Sequence, residues 1–306
     1  RHRQFASFSW TLPHNPNMAS SGNTQEGSPA DATSMLSSKS AIVEALAAYF
    51  EGLHTCDVER FKHCWHPSGE LYGVGPKGTL VTRDAAAFFE GIAARDKSPE
   101  LVKHDKILSI IQLDDCTSAA KVQIALPPAP GSPVPSFTNV LYTDFLVLLK
   151  DADLGWKIIS KVFSPEPLAE SATTTKKITP EDFAEVAQAA AQYLEAGRAL
   201  DGAGMAKVFH AASRLTFSLN GKIVIISCPE FCERVENRWE MDIHKPWAHL
   251  KDDSRIGLAD TLTSIDFAGP GVALVTLKVG YPPFLYTDFL SFCKLQDEDG
   301  KSTWWI

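Results

Sequence analysis

YTDFL, Tyr142–Leu146, recurs letter for letter as YTDFL, Tyr286–Leu290. Its surroundings recur as well. Upstream of each pentamer lie an apolar helical stretch and then an Asp and a His nine positions apart, Asp57 with His66 and Asp201 with His210. Downstream of each lies a strand that opens on Trp, at Trp156 and at Trp304. Self-similarity of this kind marks one structural unit used more than once. A chain of 306 residues has room for two domains of ordinary size. The expected division is a disordered segment over 1–39, a first copy over 40–163, a linker over 164–178 and a second copy over 179–306.

Composition narrows the function classes. Apolar residues make up 44% and charged residues 22%, as in soluble globular proteins. A net charge of -8 disfavours a nucleic-acid surface, which needs clustered Lys and Arg. No apolar run approaches the length of a membrane span, so neither nucleic acid nor membrane is expected as a partner. The six cysteines form no CxxC pair. Cys228 and Cys232 lack a second pair to complete a zinc site, and the thiols read as small buried side chains in a reducing, cytoplasmic setting.

Arg1–Asn17 contains no acid and does not begin with Met, and Met18–Ser40 is rich in Ser, Ala, Gly and Asn without periodicity. The first stretch reads as untranslated or cloning-derived sequence, or as part of a targeting peptide such as a transit peptide.

In the first copy, Ile42, Val43, Leu46, Phe50 and Leu53 share a helical face behind Ser40 as N-cap. A short helix from Asp57 ends at His66-Pro67, a hairpin covers Leu71–Val81, and a third helix follows Thr82. Strands are expected at Ile107–Leu113, Ala119–Leu126, Phe137–Lys150 and Trp156–Phe163. In the second copy, Thr179-Pro-Glu-Asp182 is a helix start with a capping Thr, Pro in the first turn and acids at the positive dipole end. Phe183, Val186, Ala190 and Leu194 form its face, and a third helix carries Phe231, Val235 and Trp239. Strands follow at Leu258–Phe267, Val272–Val279 and Phe284–Leu295, with a last one from Trp304. Aligning Trp304 with Trp156 places Ile306 inside a strand that in the first copy runs on to Phe163, so the natural protein is expected to be longer. Pro127–Ser136 is a loop insertion specific to the first copy.

The YTDFL strands carry apolar residues on both faces, whereas a sheet with one wet face alternates. Helices can cover one face of so small a unit. The other copy's sheet covers the second, which gives a pseudo-dimer within one chain.

The element order, the His-Pro after the second helix and above all YTDFLxLLK…GWKIISKVF resemble the NTF2-like superfamily, in particular its branch labelled putative lumazine-binding, close to SnoaL-like proteins. The resemblance covers about 40–163 and 180–306. It implies an α+β fold: two cones, each a curved antiparallel sheet wrapped by about three helices around an apolar pocket, packed sheet to sheet. The superfamily hosts ketosteroid isomerase, scytalone dehydratase and polyketide cyclases as well as ligand binders and assembly domains, so the fold does not assign chemistry.

Catalysis in such a cone needs a carboxylate or His in an apolar pocket, where desolvation lifts a carboxyl pKa toward neutrality. Asp144 and Asp288 fit this description, each beside a phenol (Tyr142, Tyr286) able to stabilise an enolate-like oxygen. The competing reading is a carboxylate that fixes register at the interface. His66 and His210 are candidates for catalysis or for capping a helix end. Asp57 and Asp201 read as N-caps. Tyr49 and Tyr193 on the first helices would line the ligand, and Trp239–His249, with Trp239 and Trp247, reads either as a lid over the pocket or as a surface loop. No metal site and no cofactor is expected; the lid's His and Asp lack helical pairing and Pro246 breaks the segment.

Three functions remain open. The first is a binder of a small hydrophobic or aromatic molecule. The second is a cofactor-free lyase or isomerase with Asp144, Asp288 or a His as base. The third is a structural or assembly scaffold.

Overall fold

The computed structural model describes residues 29–75, 78–128, 138–168, 177–251, 257, 259–282 and 284–306. Residues 1–28, where disorder is expected from the sequence, and most of the Pro127–Ser136 insertion and of the interdomain linker lie outside them.

The first copy opens with helix α1 (Pro29–Thr55), so the helix starts well before the expected Ser40 cap. Once Ile42–Leu53 is anchored by packing, adding a turn costs little because propagation is cheap relative to nucleation. The inward stripe is Ile42, Leu46, Tyr49 and Leu53. Val43 points to solvent and Phe50 is half-buried, because Tyr49 turns inward where its hydroxyl finds a partner. Helix α2 (Val58–Lys62) is capped by Asp57, whose carboxylate accepts from the Arg60 amide. Strand β1 (Trp65–Val74), strand β2 (Leu80–Asp84) and helix α3 (Ala85–Ala93) follow. The sheet is then completed by β3 (Lys106–Gln112), β4 (Thr117–Leu126), β5 (Val140–Asp151) and β6 (Gly155–Pro167). The last of these runs through Ser164–Pro167, which the sequence had suggested was linker.

These six strands form one sheet in the order β2-β1-β6-β5-β4-β3. It is mixed rather than purely antiparallel: β6 runs antiparallel to β5 and parallel to β1, bridging the two.

The second copy repeats the order with helix α4 (Pro180–Ala199), helix α5 (Gly202–Ala206), strands β7 (Arg214–Leu219) and β8 (Lys222–Ser227), and helix α6 (Cys228–Glu236). Its sheet strands are β9 (Thr261–Gly269), β10 (Val272–Tyr281), β11 (Phe284–Gln296) and β12 (Ser302–Trp305). Helix α4 has the expected capping box, Thr179 and Asp182 bonding reciprocally. Phe183, expected inward, is substantially exposed but sets its ring edge-on to Phe267 at 4.7 Å. Helix α6 stops at Glu236, so Trp239 lies beyond it on a 3-10 turn, Arg238–Glu240. Here the sheet is split: β12-β11-β10-β9 form one piece and β7-β8 another.

Each copy has its own core. One is built on Ile42, Leu46, Phe61, Trp65 and Ile158, the other on Val186, Val235, Val275, Leu277 and Phe292. A third cluster joins them, with Ala119, Phe145 and Val162 of the first sheet against Val272, Leu274, Cys293 and Leu295 of the second. The two sheets therefore pack face to face. Lys121 adds an ion pair across the seam to Asp266 at 2.8 Å and a hydrogen bond to the Phe267 carbonyl.

Candidate functional site

Even-numbered residues of β5 and β11 face into their cones, and odd-numbered ones face the seam. Asp144 and Asp288 are therefore interior groups, and each takes a hydrogen bond from a phenol on the first helix of its own copy. Tyr49 donates to Asp144 Oδ2 at 2.7 Å, and Tyr193 donates to Asp288 Oδ2 at 2.7 Å. The separation is 95 residues in both. The phenols beside these acids in sequence do not make this bond. Tyr142 packs edge-on against Phe163, and Tyr286 lies against Tyr281 and Phe284, partly exposed.

In the first cone a third group completes the set. Lys161, on β6, donates to both Tyr49 Oη (2.6 Å) and Asp144 Oδ2 (2.8 Å). Its ammonium lies 5.3–5.8 Å from the ring centres of Tyr49, Phe88, Tyr142 and Phe163. Burial pushes Lys161 below the usual lysine range, opposed by Asp144, and pushes the Tyr49 phenol well above its own. Tyr49 and Asp144 have no exposed surface, and Phe61, Trp65 and Phe88 stack against one another beside them. Asp144 is thus buried beside aromatic rings, with Oδ2 bonded and Oδ1 without a hydrogen-bond partner.

The second cone differs. Asp288 lines a cavity of about 760 Å³ together with Tyr193, Phe209, Arg238, His244 and Tyr281, and the same cavity extends to Tyr72, Val147 and Val162 of the first copy. Burial pushes its carboxyl above the usual range, with Tyr193 and Arg238 opposing. Tyr193 is held well above the ordinary phenol value by burial and then by Asp288, so it serves as a donor and not as a base. The Arg238 guanidinium stacks 3.3 Å over the Tyr281 ring and donates to the Gly197 carbonyl. Gly197 is required there, because a Cβ would stand 1.9 Å from the Tyr281 hydroxyl. Arg95 is the first-copy counterpart of Arg238, each three residues after a fully buried aliphatic, Ile92 or Val235.

The other expected site residues fall elsewhere. His66 and His210 do the same local job, Nδ1 accepting the backbone amide two residues on, from Ser68 and Ala212, at 3.1 Å each. His66 lies on β1 rather than at a helix end; His210 lines the cavity, edge-on to Trp305. Neither bonds to the Asp–Tyr pair of its copy. Of the expected lid, Met241, Ile243 and His244 reach the cavity; Trp247 instead stacks on His249 and is exposed, and Trp239 sits edge-on to His244. Pro246 starts a 3-10 turn, Lys245–Leu250, that carries Trp247 away. Burial lowers the His244 pKa, and its Nδ1 lies 3.0 Å from the Pro282 carbonyl. Among the described residues no group of three His, Cys, Asp or Glu could hold a metal, and no helix is long and apolar enough to cross a membrane.

A family model described as putative lumazine-binding matches residues 37–164 and again residues 181–299. Among curated proteins the chain is similar to Aldolase FrzH of Cladobotryum sp, 28% identical over 127 residues, which is 42% of this chain and 90% of that protein. Among solved structures it is similar to an NTF2-like protein of unknown function from Shewanella baltica (23% identity, 43% of this chain and 96% of the other, TM-score 0.36). A ketosteroid isomerase-like protein from Erwinia carotovora atroseptica matches at 14% identity, 42% of this chain, 95% of the other and TM-score 0.31. The hexachlorocyclohexane dehydrochlorinase LinA-type3 of Novosphingobium barchaimii matches at 14% identity, 47% and 98% coverage and TM-score 0.34.

Proposed function

Because the chain belongs to the putative lumazine-binding family through both of its halves, we propose that it binds a small, flat, largely apolar molecule in the second cone, with Asp288 as the group that exchanges a proton with it. The observation that carries this reading is the placement of Asp288, which takes a hydrogen bond from Tyr193 and faces a cavity lined by Phe209, Tyr281, Phe284 and Tyr286. Aromatic walls suit a ring system, and a carboxyl whose pKa is raised by burial keeps its proton to higher pH than an exposed acid does.

The second reading is catalytic and cofactor-free. Asp288 as carboxylate would remove a proton from a carbon next to a carbonyl, and the Arg238 guanidinium would offset the charge of the resulting enolate. The aldolase relative favours it, since making or breaking a carbon–carbon bond next to a carbonyl passes through such an enolate.

A panel of aromatic and cyclic ketone compounds, screened by thermal shift and then by turnover, tests both readings. Binding that Asp288→Asn weakens supports the first; turnover that Asp288→Asn abolishes, with binding and folding intact, supports the second. If no compound raises the melting temperature, the scaffold reading replaces both.

A further inference from the structure

We propose that His244 is a ligand-binding residue of the second cone: a neutral imidazole whose Nε2 accepts a hydrogen bond from an N–H or O–H on the bound ring compound. This rests on the reading that a flat, largely apolar molecule sits at Asp288, and it adds to that molecule a hydrogen-bond donor at its edge.

The fold anchors this imidazole. His244 follows the 3-10 turn Arg238–Glu240 and caps the next one, Lys245–Leu250. Its amide donates to the Met241 carbonyl at 2.9 Å, and its own carbonyl accepts from the Trp247 amide at 2.8 Å. The side chain is buried, with its ring edge-on to Trp239 and to Phe284 at centroid distances of 6.2 and 6.0 Å. Edge contacts of this kind favour one ring orientation. They gather at the turn between β10 and β11, whereas β12 pairs with the other end of β11, over Cys293–Gln296.

One bond sets the tautomer. A carbonyl oxygen only accepts, so Nδ1, 3.0 Å from the Pro282 carbonyl, carries the proton. Burial disfavours a second proton on the ring, and so does the Arg238 charge, against the pull of the Pro282 bond. The lone pair therefore sits on Nε2. The ring lines the cavity, and among the described residues Nε2 has no hydrogen bond.

His210, on the same cavity, is the opposite case. Its Nδ1 accepts from the Ala212 amide, which leaves the hydrogen on Nε2. The two imidazoles thus present one acceptor and one donor, and the Arg238 guanidinium adds further donors. A ring compound with an N–H or O–H as well as an oxygen acceptor matches this set. A fully alkylated ring leaves the buried acceptor unpaired, which costs free energy.

The test uses the full chain, naphthol and the methyl ether of naphthol, followed by calorimetry. The ether keeps the oxygen and loses the hydrogen. Naphthol is expected to bind the parent protein about tenfold more tightly, the worth of one hydrogen bond. His244→Phe, which keeps a packed ring, should bring the two compounds level. His244→Gln, whose amide oxygen can take the Nε2 place, should restore part of the difference. Nitrogen NMR of histidine-labelled parent protein reads the tautomer without a variant: the proton is expected on Nδ1 of His244 and on Nε2 of His210. A proton on Nε2 of His244, or equal affinity of the parent for naphthol and its ether, overturns the inference. In that event, weaker binding of either compound to Asp288→Asn leaves the Asp288 reading standing; if neither compound binds the parent, both fall.

Discussion

Glu70 and Arg214 occupy equivalent positions in the two copies and form an ion pair with each other at 3.1 Å. Arg214 also donates to the Ser68 carbonyl, and Tyr72 donates to the other oxygen of Glu70. Two equivalent residues can touch only where the pseudo-twofold axis passes between them. In a dimer of identical chains that spot would hold two glutamates or two arginines. Joining the copies in one chain allows opposite charges there.

The first prediction follows from this. Arg214→Glu should lower stability more than Arg214→Ala, because it sets two acids together in a partly buried place. Exchanging the charges (Glu70→Arg with Arg214→Glu) should recover about 1 kcal/mol relative to the sum of the single changes, read by denaturant unfolding. An additive double change would show that the pair does not couple the halves.

Lys161, Asp144 and Tyr49 form a buried set in which removing one partner strands another. Lys161→Met should cost about 3–5 kcal/mol, and Asp144→Asn a comparable amount, while Lys161→Met with Asp144→Leu should regain much of it. Chemical denaturation of the three variants checks this. A tolerated Lys161→Met would mean that Asp144 is not held as a buried ion.

Asp288 should titrate against stability in the opposite sense to an ordinary surface acid. Its folded pKa lies above the ordinary 3.8, so the folded state holds the proton more tightly than the unfolded chain. The stability this contributes is present below the unfolded pKa and is lost as pH rises through the folded one. Asp288→Asn should therefore match the parent near pH 4 and become the more stable of the two as pH rises toward 7, seen as a growing difference in melting temperature. A difference that shrinks over the same range would place the folded pKa below the ordinary value.

Burial lifts the Cys64 and Cys293 thiols to about 12, leaving almost no thiolate at neutral pH. Cys56 and Cys116 are only partly buried. Alkylation at pH 8 followed by mass spectrometry should label Cys56 and Cys116 first, and Cys64 and Cys293 only on unfolding.

Much of the architecture was legible because the duplication displays it twice: the repeated YTDFL places β5 and β11, and their two apolar faces call for both helices and a second sheet. Asp144 and Asp288 stood out as lone acids in apolar strands. Their partners did not, because hydrogen-bond partners 95 residues away are set by how the helix packs on the sheet. The equal spacing of Tyr49–Asp144 and Tyr193–Asp288 was the available signal. Lys161 was hidden in GWKIISKVF, where a register shift between Val147 and Leu148 lies just before the place at which Lys161 turns inward opposite Leu146. Trp239 and Trp247, whose segment reads as a lid or a surface loop, do not line the cavity; Met241, Ile243 and His244, between the two 3-10 turns, do.

The proposed binding of a small molecule at Asp288 is tested most directly by soaking crystals of the full chain with a library of small aromatic fragments. The account predicts fragment density against Asp288 and Tyr193 and none against Asp144 and Tyr49. Density beside Asp144, or fragments that avoid Asp288 while binding elsewhere, would contradict it.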